Sequence, residues 1–250
     1  MTDGVVNSNY HALAARFQQR MGTQLTTLVS YTYSKAIDTG SAIRTHGGDT
    51  DFPQDNYDIK KTARSVSNFD QQHRFVTSLL WQVPFGKGQR WLQSGVLSHI
   101  VGGWQTGNIV TYRTGLPYTV TNGIDAANVG GPGGQYPNRT SAPLEPPGGR
   151  DPVRYFNPAA FARIAPFTYG DVGRNSMRGP EAFSLDFSLM KKIPMPVEGH
   201  ELQFRFEAFN FPNRPNFGLP TASVTSATFA QITSTNTSMR ELQFSLKYVF

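Results

Sequence analysis

The chain has 250 residues, enough for one large β domain or two small ones. Apolar residues make up 38% and charged residues 16%, both below globular averages, so the remainder is polar, glycine- and proline-rich and suits strands with long loops rather than a helical bundle. The lack of cysteine excludes thiolate zinc sites, thiol catalysis and disulfide frameworks, and no apolar run reaches the ~18 residues of a membrane-crossing helix. The net charge of +6 is scattered beyond Lys60-Lys61 and Lys191-Lys192, so no nucleic-acid partner is expected.

Residues 1–9 carry neither a charged leader nor an apolar core, so an export signal is expected upstream, in a longer protein. Residues 9–20 read as a strand, with Leu13, Ala15 and Phe17 on one face and Arg16, Gln18 and Arg20 on the other. Met21-Gly22-Thr23 is a tight turn. Residues 24–35 alternate Leu25, Thr27, Val29, Tyr31 and Tyr33 with Thr26, Ser30, Thr32 and Ser34. A polar loop over 36–72 follows, then a strand over 74–84 with Phe75, Thr77, Leu79, Trp81 and Val83 on one face. Residues 84–88 make a turn, and a glycine-rich strand is expected to begin at 91–98 and run to Tyr112, its two faces hard to separate. Residues 113–182 read as a long irregular region. Two strands joined by a short turn follow: 183–190, with Phe183, Leu185, Phe187 and Leu189 on one face, and 201–211, with Leu202, Phe204, Phe206 and Ala208. After a loop over 212–239, the last eleven residues place Leu242, Phe244, Leu246, Tyr248 and Phe250 opposite Glu241, Gln243, Ser245 and Lys247.

The fold class is therefore all-β, an antiparallel meander of about seven strands with connections that alternate short and long. A strand with one apolar and one polar face fits the edge of a soluble sandwich, and it fits a transmembrane barrel with lipid outside and a hydrated lumen inside. The alternation of connections favours the barrel, because a sandwich has no reason to keep every long loop at one end. The aromatics agree. Tyr31, Tyr33, Tyr112, Phe183 and Phe211 fall at strand ends feeding the long loops, and Trp81, Phe85, Tyr248 and Phe250 at ends feeding the turns, as two interfacial girdles would. Asp186, Arg205, Glu207, Gln243 and Lys247 are then expected to face the lumen. An open sheet in lipid leaves edge backbone groups unpaired, so the strands either belong to a larger barrel or close on themselves.

Several segments, in order, carry a resemblance: Y-T-Y-S-K-A-I-D (31–38), N-F-D-Q-Q-H-R-F (68–75), G-G-W-Q-T-G-N-I-V (102–110), Y-F-N-P-A-A-F (155–161), G-R-N-S-M-R-G-P (173–180), F-R-F-E-A-F-N-F-P-N-R-P-N-F-G (204–218) and the closing L-Q-F-S-L-K-Y-V-F. The chain from about residue 8 to its end resembles the carboxy-terminal part of Oar-like TonB-dependent outer-membrane receptors. That family implies a barrel of about 22 strands with a plug. It often adds an amino-terminal regulatory domain; both upstream parts are absent from this chain. The resemblance implies outer-membrane lipid, the outer-membrane assembly machinery, TonB acting through the missing parts, and an unidentified ligand as partners. It also implies that Tyr248 and Phe250 form the assembly signal, and that residues 36–72, 113–182 and 212–239 lie outside the cell.

Catalytic residues are not expected. His11, His46, His73, His99 and His200 are dispersed, and no G-x-S-x-G, H-E-x-x-H or phosphate loop occurs. Asp49, Asp51, Asp55 and Asp58 lie close enough to offer Ca²⁺ oxygen ligands, without EF-hand spacing; a solvated acidic loop is the commoner outcome, and no other cofactor is expected. The alternatives from other classes are a soluble secreted β-sandwich binding carbohydrate through its long loops, and a barrel-embedded hydrolase, for which no converging Ser, His and acid stand out.

Overall fold

The computed structural model describes residues 7–41, 53–55, 57–130 and 134–250. Seven long strands form one antiparallel meander: β1 (Ser8–Met21), β2 (Leu25–Asp38), β3 (His73–Gln82), β4 (Trp104–Arg113), β5 (Ala182–Pro194), β6 (Glu201–Phe209) and β7 (Glu241–Val249). Each pairs with the next in sequence, a short Ser65–Val66 rung joins the end of β2, and β1 and β7 stand at the two ends of the sheet. The sheet is thus open rather than closed on itself.

Register aligns the faces across all seven strands. Ala15, Tyr31, Phe75, Tyr112 and Phe183 are successive partners, so four aromatics form one row near the end of the long connections. Further along the same face, Phe187, Phe206 and Phe244 stack as neighbours, with ring centroids 6.2 and 5.0 Å apart. Arg16, Ser30, Val76, Thr111 and Ser184 make the corresponding row on the opposite face. The expected alternation fails most in β4. It contributes Thr106 and Asn108 to the mostly apolar face and the exposed Ile109 to the polar one.

Among the described residues no second layer covers the apolar face, and each long strand packs extensively only on its neighbours. Phe244 is 69% exposed and Leu246 66%. Phe187 and Phe204 are half-buried, flanked on the same face by Phe206, Phe211 and Trp104. Among the described residues, the only buried hydrophobic side chain in the seven strands is Ala208. A sandwich would bury the strands' apolar faces against each other, so the sandwich alternative does not hold.

One expected strand start is corrected. Residues 91–103 are not extended: Val96–Val101 is a helical turn and β4 begins only at Trp104. Gly95 stands at φ +87° and interrupts an extended path. Gly86 and Gly102 then bring two backbone segments together; a Cβ on Gly86 would lie 2.6 Å from the Gly102 Cα. This connection is therefore longer than the turns at 22–24 and 195–200 that share its end of the sheet. β2 and β5 also run further than their alternation indicates, to Asp38 and Pro194.

The regions expected to be irregular, 113–182 and 212–239, fold together into a cap with its own core. Tyr118, Val120, Phe156, Ala160, Phe161, Met177 and Ala230 are buried there, with Phe229 packed against them. Short pairings organise it: Pro117–Tyr118 with Met177–Arg178, and Asn138–Arg139 with Phe161–Ala162. Backbone bonds link the two connections, from the Thr121 N–H to the Ala222 carbonyl (3.0 Å) and from the Tyr155 N–H to the Ala230 carbonyl (2.9 Å).

Candidate functional site

The cap is fastened to the strand ends by the segment 173–180. Arg174 is buried against Asp38 at the tip of β2, forming an ion pair with its carboxylate and donating to its carbonyl at 2.8 Å. It also donates to the Ala63 carbonyl (2.8 Å) and the Ser41 hydroxyl (3.1 Å). Asn175, at φ +51°, donates to the Val66 carbonyl (2.7 Å) and receives the Thr119 hydroxyl (3.1 Å). Arg178 pairs with the buried Asp70 carboxylate, which also accepts the Ala36 N–H at 2.7 Å. The segments 31–38, 68–75 and 173–180 singled out in the sequence therefore meet in one polar cluster at the rim.

The 204–218 segment does the same for the other connection. Asn210, at φ +49°, donates from its backbone N–H to Asp186 (2.9 Å) and from its amide to the Arg214 and Ser238 carbonyls. The buried Asn216 accepts the Phe183 N–H at 2.8 Å and donates to Thr237. Asparagine suits such corners because its side chain bonds nearby backbone and tolerates the left-handed conformation.

Of the five polar residues expected to share a face, all five do. Glu207 stands opposite Gln243, Arg205 opposite Ser245, and Lys247 opposite Gln203. Arg205 lies 3.7 Å from Glu207. Asp186 sits apart from this group, as an anchor for Asn210. Near the short-turn end, Gln82, Gln105, Lys192, Gln203, Arg205 and Lys247 line a cavity of about 610 Å³. A second cavity of about 300 Å³ lies under the cap, lined in part by Gln71, Arg74, Thr111, Arg113, Ser184 and Thr237. Arg74 and Arg113 were not among the expected site residues. Each borders a strand-end aromatic, Phe75 or Tyr112, but only the register shows that they face each other.

Asp49 and Asp51 lie outside the described residues. Asp55 accepts the Tyr57 N–H at 2.8 Å, and Asp58 caps the helical turn Ile59–Thr62 through the Lys61 N–H. Among the described residues no group of three or more potential metal ligands occurs. Elsewhere in the cap, the Gln135 amide and the Val129 and Gly130 N–H groups hold the Asp125 carboxyl below its ordinary pKa. Burial pushes the pKa of the Tyr118 hydroxyl up, and it has no hydrogen-bond partner among the described residues, so it stays neutral.

Tyr248 and Phe250 lie on the exposed apolar side near the short turns, where the Tyr248 hydroxyl is 2.5 Å from His200 Nδ1 and the Tyr248 and Phe250 rings are 6.1 Å apart. The family model for the outer membrane β-barrel domain matches residues 1–243. The chain belongs to that family.

No curated protein and no solved structure matches the chain. As an outer membrane β-barrel domain it resides in the outer membrane of a Gram-negative bacterium. The barrel's apolar face then meets hydrocarbon, which explains why Phe244 and Leu246 lie exposed with no covering layer among the described residues. The polar face lies on the opposite side of the sheet, and the cap stands at the end of the long connections. The aromatic row of Tyr31, Phe75, Tyr112 and Phe183 lies at the cap end of the apolar face.

Proposed function

We propose that this chain is the carboxy-terminal part of the barrel of an Oar-like TonB-dependent receptor, contributing to substrate binding and uptake across the outer membrane. The observation that carries the reading is the cap. Connections at one end of the meander fold into a pinned structure over a polar interior, an arrangement suited to holding a ligand at a barrel mouth. The order and identity of the motif segments support the receptor type. The open sheet supports a larger barrel, because unpaired edges in hydrocarbon are costly.

In this reading the three long connections face the cell exterior and the turns at 22–24 and 195–200 face the periplasm. The plug and the contact with TonB come from other parts of the receptor. The chain is a binding and transport component, not an enzyme. Tyr248 and Phe250, on the outer face near the periplasmic end, serve recognition by the assembly machinery.

The test is binding of the full-length detergent-solubilised protein to the periplasmic domain of TonB from the same organism. Saturable binding is expected; none, from a protein whose barrel is folded by heat-modified gel migration, overturns the receptor reading. Barrel orientation has its own test. Phe244→Arg, in the middle of β7 on the lipid side, is expected to cost about 2–4 kcal/mol in bilayers. Ser245→Arg, on the interior side, should leave urea unfolding nearly unchanged. Equal loss in both variants would contradict the assignment of faces.

A further inference from the structure

Arg74 and Arg113 stand directly opposite each other in the β3–β4 ladder, on the interior face beneath the cap. Direct cross-strand neighbours have Cβ atoms roughly 5 Å apart, and like charges at that spacing repel. Among the described residues neither guanidinium has a hydrogen bond or an ion pair. The acids at the same rim are committed elsewhere. Asp70 holds Arg178 and the Ala36 N–H, Asp186 holds the Asn210 N–H, and Glu181 accepts the Tyr112 hydroxyl at 2.7 Å with Arg214 at 3.7 Å.

The ladder adds donors beside the pair. Thr111 and Ser184 are cross-strand partners on the same face, one row further from the cap. Both line the 300 Å³ cavity with the two arginines. Asn216 and Thr237, joined to each other at 3.1 Å, bring the connection after β6 to the same cavity. The cavity therefore concentrates two fixed positive charges and hydroxyl donors, and among the described residues no carboxylate lines it.

We propose that this cavity is an anion subsite, which binds a carboxylate or phosphate group of the ligand between Arg74 and Arg113. Two planar guanidinium forks from adjacent strands can each bond an oxyanion through paired N–H groups, and the bound charge relieves their mutual repulsion. Thr111 and Ser184 supply further donors to the same oxygens. The proposal rests on the barrel reading, which makes this face the interior; it does not depend on TonB. It narrows the ligand to a class with an exposed acidic group.

The test is calorimetric titration of the full-length protein in detergent at low salt, with inorganic phosphate and with citrate as separate probes. Binding of either supports the proposal, and which one binds distinguishes a phosphorylated ligand from a carboxylate. Arg74→Gln and Arg113→Gln are each expected to weaken that affinity roughly tenfold or more, since a charge-assisted bidentate contact is lost. Arg74→Lys should recover part of it. Arg90→Gln, which removes a charge from the 83–103 connection, should change nothing. Without anion, the two glutamine variants are expected to melt no lower than wild type, because each removes a repulsion; this separates weak binding from misfolding. The proposal fails if neither probe binds, or if Arg74→Gln and Arg113→Gln bind as wild type does. Anion binding retained by a protein that does not bind TonB would overturn the receptor reading alone.

Discussion

Arg174→Met is expected to destabilise the cap by about 3–5 kcal/mol, the range for removing one partner of a buried ion pair. Arg174 is 3% exposed and Asp38 8% at their side chains. The cost comes mainly from what is left behind. Asp38 would keep the Ser41 hydroxyl donating at 2.6 Å but lose its countercharge in a buried setting. The Ala63 carbonyl and the Asp38 carbonyl would each lose a donor as well. Asp38→Asn in the same protein removes the stranded charge, so the double variant should recover part of the loss. Arg178→Met should also be costly, because Arg178 is 37% exposed but its partner Asp70 is only 1% exposed and would keep a buried charge without its countercharge. Hydrogen exchange of residues 114–181 in the detergent-solubilised full-length protein reads the effect. Protection of β3–β7 should persist, since their ladder bonds do not involve Arg174. Unchanged exchange in the cap of Arg174→Met would show that the ion pair does not hold it.

The strands were legible because an apolar and a polar face impose a period of two, which is clearest in β7 and weakest in β4. There Thr106, Asn108 and Ile109 stand against the pattern, so neither the faces nor the start of the strand could be read. Residues 91–103 misled for a related reason. Trp91, Leu92, Val96 and Ile100 are apolar enough for a strand, and Gly95 at φ +87° together with the Gly86–Gly102 approach makes that path a folded turn. The cap was illegible for a different cause. Its core gathers Tyr118, Phe156, Phe161 and Phe229 from two connections far apart in sequence, with no local period to announce them. Proline and glycine density reads as irregular chain, and irregular backbone can still pack. That Asp186, Arg205, Glu207, Gln243 and Lys247 share one face followed from alternation alone. The Arg74–Arg113 pair did not, because facing across a ladder depends on register, which sequence fixes only through contacts between strands.

Phe156→Ala is expected to cost the cap about 3–5 kcal/mol, through lost transfer free energy and the cavity left behind. Phe156 is 1% exposed, and its ring lies 5.1 Å from Phe229, 5.5 Å from Phe161 and 6.4 Å from Tyr118. Phe229 comes from the connection before β7 and the other three from the connection before β5, so the ring is the keystone between two segments. Collapse into the void is restricted, because Val120 and Ala160 on the same core are already fully buried. An alanine at Phe244, by contrast, removes a side chain that is 69% exposed and should cost the cap nothing. Loss of the cap reaches the interior through Asn216 and Thr237, which belong to the connection before β7 and wall the Arg74–Arg113 cavity. Phe156→Ala should therefore raise exchange across 114–181 and 210–240 together and weaken anion binding while both arginines remain in place. If exchange rises only around residue 156, the two connections are separate folding units and the cap is not one cooperative structure.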